Sequence, residues 1–285
     1  VVMTVIAGVD GSGASSQALR WAAREAQWRD EPLVAVMAWG FLDQHTAEPG
    51  APFDPAYGHA QATGALATYV RSALPEAVAD AVELRAVCDL PAAALVAAAS
   101  ARDLLVVGSR GLGGFRGLLL GSVSRRCVHE APCPVGVVRE SSPGDGARHG
   151  LIVVGVDGSD GSRRAVTWAL AEARLRGATV ELVHDSPVGL IGADAIALHD
   201  GAAVELEAER VFDGVLLGQD LRGVHPPVRR TTTFEGAAAS ILRRAEGADL
   251  VVVGSHGRST LARLALGSVS SQVVHHSDRP VVVVP

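Results

Sequence analysis

Two glycine-rich stretches carry the residue types best suited to chemistry in this sequence. The first runs Gly108-Ser109-Arg110-Gly111, then nine residues, then Gly121-Ser122-Val123-Ser124. The same pattern returns as Gly254-Ser255-His256-Gly257, nine residues, and Gly267-Ser268-Val269-Ser270. Glycine lets backbone amides approach an anion with no Cβ in the way, and a Gly-Ser pair that opens a helix offers that helix's free amides and dipole to phosphate. The serine hydroxyls add further donors. One glycine pair alone is more simply a tight βα turn; the return of the whole spacing favours a ligand. A second recurring segment, Gly8-Val9-Asp10-Gly11-Ser12 and Gly155-Val156-Asp157-Gly158-Ser159, ends an apolar run each time. Asp10 and Asp157 are open to two roles, orienting a divalent ion such as magnesium or capping the following helix, and Ser12 and Ser159 are open to the cap role as well.

Other chemistries are excluded by composition. All 25 residues in the Lys+Arg count are arginine, and asparagine is absent too. A lysine-dependent phosphate loop, Schiff-base catalysis, pyridoxal attachment and a Cys-His-Asn triad therefore cannot occur. Gly11-Ser12-Gly13 lacks the spacing of an esterase elbow. His129 and the pair His275-His276 sit in the last helix of each half, where adjacent residues point to different faces, so they read as surface or interface residues. Cys88, Cys127 and Cys133 are odd in number and lack CxxC spacing, which suits small core residues in a reducing cytosol. Trp21 and Trp168 read as core or interdomain anchors. The formal charge of −6 comes without a basic run, so neither nucleic acid nor an anionic membrane is an expected partner. No apolar stretch approaches the ~20 residues of a membrane helix. The opening VVMTVIAGVDGS reads as a buried strand rather than a secretory signal, and the expected location is the cytoplasm.

The elements around these residues repeat as well, and the chain is one domain written twice. Ile6–Ser12 recurs as Val153–Ser159, Trp21 as Trp168, Leu104–Ser109 as Leu250–Ser255 and Leu120–Ser124 as Leu266–Ser270, with one net residue lost between. The expected domains are 1–140 and 150–285, joined by a turn-rich linker over 141–149. In the first, strands are expected at Val2–Val9, Leu33–Trp39, Ala81–Val87, Leu104–Val107 and Val135–Val138. Helices are expected near Ala14–Trp28, Tyr57–Leu74, Pro91–Ala101 and Leu120–Glu130. The second repeats this with strands near 151–156, 179–183, 228–233, 250–253 and 281–284; Ser186–Pro227 has weak periodicity. Near-continuous Val, Leu and Ile means strands buried on both faces, hence an α/β fold with two tandem, doubly wound parallel sheets of five strands, in the Rossmann-like manner.

The Gly-x2-Gly-x9-Gly-Ser pattern, the Val-Asp-Gly-Ser after the first strand and Ala131-Pro-Cys-Pro-Val135 resemble the universal stress protein family, in particular its tandem-domain actinobacterial members. The resemblance covers nearly the whole chain and implies ATP, with magnesium, held with adenine against strands one to three and phosphates on the glycine loop. It implies a first site of Gly8, Val9, Asp10, Gly11, Ser12, Ala38, Val87, Gly108, Ser109, Arg110, Gly111, Gly113, Gly121, Ser122, Val123 and Ser124. A second would comprise Gly155, Val156, Asp157, Gly158, Ser159, Thr233, Gly254, Ser255, His256, Gly257, Arg258, Gly267, Ser268, Val269 and Ser270. It also implies pairing of the two halves through their last strands as a pseudo-dimer, with a homodimer as a further option. The expected function is a stress-response regulator that senses or sequesters adenine nucleotide without efficient catalysis; the alternative is a slow ATPase or nucleotidyl-transferring enzyme on the same scaffold. In the second half Asp185 stands where Ala38 stands in the first, either penalising an adenine or accepting from its amino group.

Overall fold

The computed structural model describes residues 3–40, 44, 54–112, 120–142, 150–186, 201–223, 228–257 and 266–285. The chain divides into two compact units, Val1–Ser142 and Pro143–Pro285. The first contains β1 (Val5–Gly8), α1 (Gly13–Arg29), β2 (Leu33–Trp39), α2 (His59–Ala73), α3 (Glu76–Ala79), β3 (Glu83–Cys88), α4 (Pro91–Ala98), β4 (Leu104–Gly108), α5 (Ser122–Glu130) and β5 (Val135–Val138). Its strands lie in the order β3-β2-β1-β4-β5, every pair parallel. The order therefore reverses between β1 and β4, the place where an open parallel sheet leaves a crevice beyond its carboxyl ends.

The second unit repeats the plan with β6 (Leu151–Gly155), α6 (Asp160–Arg176), β7 (Thr179–Asp185), α7 (Gly201–Leu216), β8 (Arg229–Thr233), α8 (Ala237–Ala245), β9 (Leu250–Gly254), α9 (Ser268–His276) and β10 (Val281–Val284). The order is β8-β7-β6-β9-β10, again parallel. Helix α7 occupies part of the stretch whose periodicity was too weak to read from sequence.

Burial explains where the expectations hold and where they fail. Val5, Ile6, Leu104, Leu105, Ile152 and Leu250 are all but inaccessible, as interior strands of a two-faced sheet require. The outer strand β3 is different: Glu83 and Arg85 are exposed and paired at 2.6 Å, and only Ala86 is fully buried. Strand β8 likewise exposes Arg229 and Arg230. Cys88, at the end of β3, is exposed rather than a core residue, because an outer strand has nothing to bury its last side chain. Cys127 and Cys133 are buried, and burial pushes their thiols up to about 12 and about 11, so both are protonated packing groups. Several element ends fall inside the sequence expectations. Strand β3 starts at Glu83, since the amides of Ala81 and Val82 close a turn onto Val78 and Ala79. Helix α4 stops at Ala98, and α5 starts at Ser122 with Gly121 as its cap.

Candidate functional site

The loop after each first strand is an Asp-anchored turn that doubles as a helix cap. Gly11 and Gly158 have φ of +83° and +82°, a left-handed conformation that favours glycine. Asp10 Oδ1 accepts from the Ser12 amide at 3.0 Å and the Ser12 hydroxyl at 2.6 Å, and Ser12 Oγ accepts from the Ser15 amide at 3.1 Å, capping α1. In the second half Asp157 Oδ1 accepts from the Ser159 amide at 3.0 Å, and Ser159 Oγ caps α6 through the Ser162 amide at 3.1 Å. The remaining Asp10 oxygen accepts from the Leu112 amide at 3.1 Å, tying this turn to the loop after β4. Tyr69 packs its ring against Gly11, and burial together with the Asp10 carboxylate holds its phenol above the ordinary range. Both aspartates form the turn itself, and the helix caps are Ser12 and Ser159. Among the described residues no group of three His, Cys, Asp or Glu side chains is placed to hold a metal ion.

The loop after each fourth strand is pinned at both ends. The Ser109 amide donates to Val138 O at 2.7 Å and the Gly121 amide returns to Ser109 O at 2.7 Å; Ser255 and Gly267 repeat this at 2.7 and 2.8 Å. Ser124 Oγ donates to Gly108 O at 2.6 Å, and Ser270 Oγ to Gly254 O at 2.6 Å. These two hydroxyls are therefore staples between helix and strand rather than donors left for a phosphate, which corrects the expectation that both are available. The helices they staple, α5 and α9, have Gly121 and Gly267 as caps and no side-chain hydrogen bond at the cap. Their first amides are left to a ligand or to water.

Most glycines of the pattern answer to the protein's own packing. A Cβ on Gly8 would press on Leu95, and one on Gly155 would sit 2.5 Å from Ile241. Gly108 and Gly254 let the first turns of α1 and α6 rest on the strand ends, where a Cβ would stand 2.8 Å from Ala14 and 2.7 Å from Gly161 backbone atoms. Gly111 and Gly257 lie against Asp10 and Asp157, where a Cβ would collide with the Oδ2 atom. Gly121 and Gly267 are the exceptions. Gly121 has a φ of −73° and Gly267 one of −58°, negative values that any residue adopts, and a Cβ on either would meet nothing closer than 3.4 and 3.5 Å, ordinary contact distances. Gly113 and Arg258 lie outside the described residues.

In the second unit the loops enclose a cavity of about 110 Å³. Of the residues proposed for this site, Gly155, Val156, Asp157, Ser159, Gly254, His256, Gly257, Gly267, Ser268, Val269 and Ser270 line it. Gly158, Ser255 and Thr233 do not. Thr233 is buried and donates to Asp185 Oδ1 at 3.0 Å, so it does not present an adenine-facing surface. The same Oδ1 accepts from the Glu235 and Gly236 amides at 3.1 and 3.0 Å. Asp185 Oδ1 thus ties down the turn that leads into α8, whose N-cap Gly236 has no side chain to offer. Ser162, Val183, Ala237, Ile241 and Val253 also line the cavity. Ala237 and Ile241 are one helical turn apart on α8, so one face of that helix supplies both. In the first unit, Ala38 is buried beside Val87, its register partner on β3, while Arg110 and Ser122 are exposed.

The model of the Universal stress protein family matches residues 2–139 and again 150–285. The chain belongs to the universal stress protein family. It is a tandem member: a universal stress protein of Mycobacterium tuberculosis strain H37Rv is 34% identical over 287 residues, spanning 98% of this chain and 96% of the relative. A universal stress protein of Archaeoglobus fulgidus superposes with a TM-score of 0.64 at 20% identity, over 99% of this chain and 95% of that one, which shows the shared α/β fold. Another from Archaeoglobus fulgidus, solved in complex with dAMP, is 26% identical and covers 47% of this chain and 96% of its own, with a TM-score of 0.36. Among the described residues no helix is long and apolar enough to cross a membrane.

Proposed function

We propose that each half of this universal stress protein binds an adenine nucleotide, ATP in the first instance, and that the protein regulates a stress response through that occupancy rather than by efficient turnover. The observation that carries the reading is the pair Gly121 and Gly267. The protein has room for a side chain at both, so the missing Cβ is accounted for by close approach of a group from outside, at the uncapped amino ends of α5 and α9. The second-unit cavity, apolar along Val156, Val183 and Ile241 and amide-rich at Gly257 and Gly267, suits a base at one end and phosphates at the other. Magnesium fits as an ion carried by the phosphates and water, since Asp10 spends both carboxylate oxygens on backbone amides.

Efficient hydrolysis would need charge neutralisation at the γ-phosphate and a positioned nucleophile. The chain has no lysine, and the titratable side chains lining the described cavity are Asp157 and His256. Mass spectrometry of the small molecules that co-purify with the protein tests the binding reading, with an adenine nucleotide as the expected mass. Steady-state ATP hydrolysis above about 1 per second, the low end of ordinary enzymes, would replace it with the enzyme reading.

A further inference from the structure

At the carboxyl end of β7, Asp185 uses one carboxylate oxygen for the fold and leaves the other open. Oδ1 accepts from Thr233 Oγ1 at 3.0 Å, from the Glu235 and Gly236 amides at 3.1 and 3.0 Å and, more loosely, from Ser240 Oγ at 3.5 Å. These donors hold the side chain in place and exhaust that oxygen, which has two lone pairs. Oδ2 has no hydrogen-bond partner or cation among the described residues and is not enclosed, in a side chain that is half-buried. Val183, two residues earlier and hence on the same face of β7, lines the second-unit cavity. So do Ala237 and Ile241, the chain neighbours of the Gly236 and Ser240 that hold Asp185. The carboxylate therefore borders the apolar stretch of Val183 and Ile241, where a base would lie, rather than the amide-rich end at Gly257 and Gly267.

We propose that Asp185 is the base-selecting residue of the second site: its Oδ2 accepts a hydrogen bond from the exocyclic amino group of the bound adenine. The inference rests on the nucleotide reading above and adds which edge of the base the second unit reads. In the first unit Ala38 takes this position and offers a methyl group, so the two units differ here by a charged acceptor. Such an acceptor sorts purines by the group they carry at C6. Adenine presents an amino group there, a donor, whereas a 6-oxopurine presents a carbonyl oxygen that a carboxylate repels. A site that hydrogen-bonds a ligand N–H also rejects the analogue lacking it, because its own acceptor is then left unpaired. Water alone on Oδ2 would leave the second site indifferent to that edge.

The test is calorimetric titration with ATP and with inosine triphosphate of the full chain carrying Gly121→Asp, which silences the first site, with and without Asp185→Asn. Asparagine keeps an oxygen for the Glu235 and Gly236 amides and puts an amide NH2 in place of Oδ2, so an acceptor becomes a donor at constant shape. Expected is a preference for ATP of about tenfold to a hundredfold, as for a hydrogen bond to a charged group, which is lost or reversed in Asp185→Asn while the melting temperature holds. In the Gly267→Asp protein, whose remaining site is the first, Asp185→Asn should leave the preference unchanged. An unchanged ATP preference in the Gly121→Asp protein on adding Asp185→Asn, with binding intact, overturns the inference and leaves nucleotide binding standing. Absence of binding of either nucleotide to the Gly121→Asp protein, with binding intact in Gly267→Asp, overturns the nucleotide reading of the second site as well. Should Asp185→Asn melt early, purine riboside triphosphate, which has hydrogen in place of the amino group, decides on the Gly121→Asp protein: binding as tight as that of ATP contradicts the proposal.

Discussion

At the turn after the first strand of each unit, Gly11 abuts the aromatic ring of Tyr69, whereas Gly158 faces Val211. At the far side of the same site, β2 ends in Trp39, edge-on to Tyr57 at 5.9 Å, while β7 ends in Asp185, whose Oδ1 ties down the turn that leads into α8. The loop between β4 and α5 carries Arg110 where the second unit carries His256. What the units share is the hydrogen-bonded frame: the Asp-Gly-Ser turn, the serine staple from helix to strand, and uncapped helix starts at Gly121 and Gly267. What differs is the set of side chains facing the place where a ligand would lie. Duplicated sequence has kept the hydrogen-bonded frame and varied the walls around it, so the proposed sites share a frame and differ in their linings.

The largest effects on stability are expected at the glycines that serve the frame. Gly108→Ala puts a Cβ 2.8 Å from the backbone of Ala14 and Ser15, which cannot give way as a side chain can. A loss of about 3 kcal/mol is expected, the upper end for overpacking, read as a drop in the first unit's denaturant midpoint. Gly254→Ala should cost the second unit as much.

A smaller effect separates the units. Gly136 on β5 leaves room for the ring of Trp21, which a Cβ would approach to 3.0 Å, and the corresponding residue on β10 is Val282. Trp21 is 3% exposed, and Trp168 is less deeply buried. Gly136→Val should destabilise the first unit by about 1–3 kcal/mol, whereas Val282→Gly should not improve the second. Equal melting of Gly136→Val and the unsubstituted chain would show that the two tryptophans pack alike after all.

Alkaline pH should also affect the two units differently. Cys127 is raised to about 12 and Cys133 to about 11 from a starting value of 9.0, in each case mainly by burial. Between those limits the unfolded chain has released thiol protons that the folded unit still holds. Stability is therefore full below about pH 9 and falls as pH climbs toward the folded values. The second unit has Val273 and Arg279 in place of these cysteines and lacks this loss. Cys127→Val should flatten the first unit's alkaline decline in pH-dependent denaturant melts. The least of the expected effects is at the end of α1, where Asp30 adopts φ 53° at a position that Gly177 fills with φ 65° in α6. Asp30→Gly should leave the first unit equal or more stable by up to about 1 kcal/mol, since the left-handed strain outweighs the entropy of a glycine.

The duplicated plan was legible because interior parallel strands write themselves as runs such as Leu104–Val107 and Val281–Val284, and because glycine spacing repeats without gaps. Tertiary partners were not legible. Asp185 looked like a ligand-facing carboxylate because its place in register with Ala38 is visible in sequence, but the amides of Glu235 and Gly236 that claim its Oδ1 are some 50 positions away. Ser124 and Ser270 looked like phosphate donors for the same reason, their acceptors being strand carbonyls rather than sequence neighbours. Helix α7 was hidden because a run such as Val204–Arg210 is dominated by exposed polar residues, with Ala208 and Val211 among its few deeply buried ones. Cys88 was misplaced because a strand's position at the outside of its sheet depends on strand order, which composition does not encode.

The central claim is that Gly121 and Gly267 are glycine for the sake of a bound phosphate and not for the fold. The measurement that tests it most directly is thermal melting beside ATP calorimetry on the Gly121→Asp/Gly267→Asp double variant. An aspartate at a helix cap satisfies free amides and complements the dipole, worth about 1 kcal/mol per helix, so the melting temperature should hold or rise. The same carboxylate sits where phosphate would sit, and ATP affinity should fall on the order of a thousandfold, about 4 kcal/mol. A double variant that melts no earlier and binds ATP as tightly as the unsubstituted chain would contradict the account.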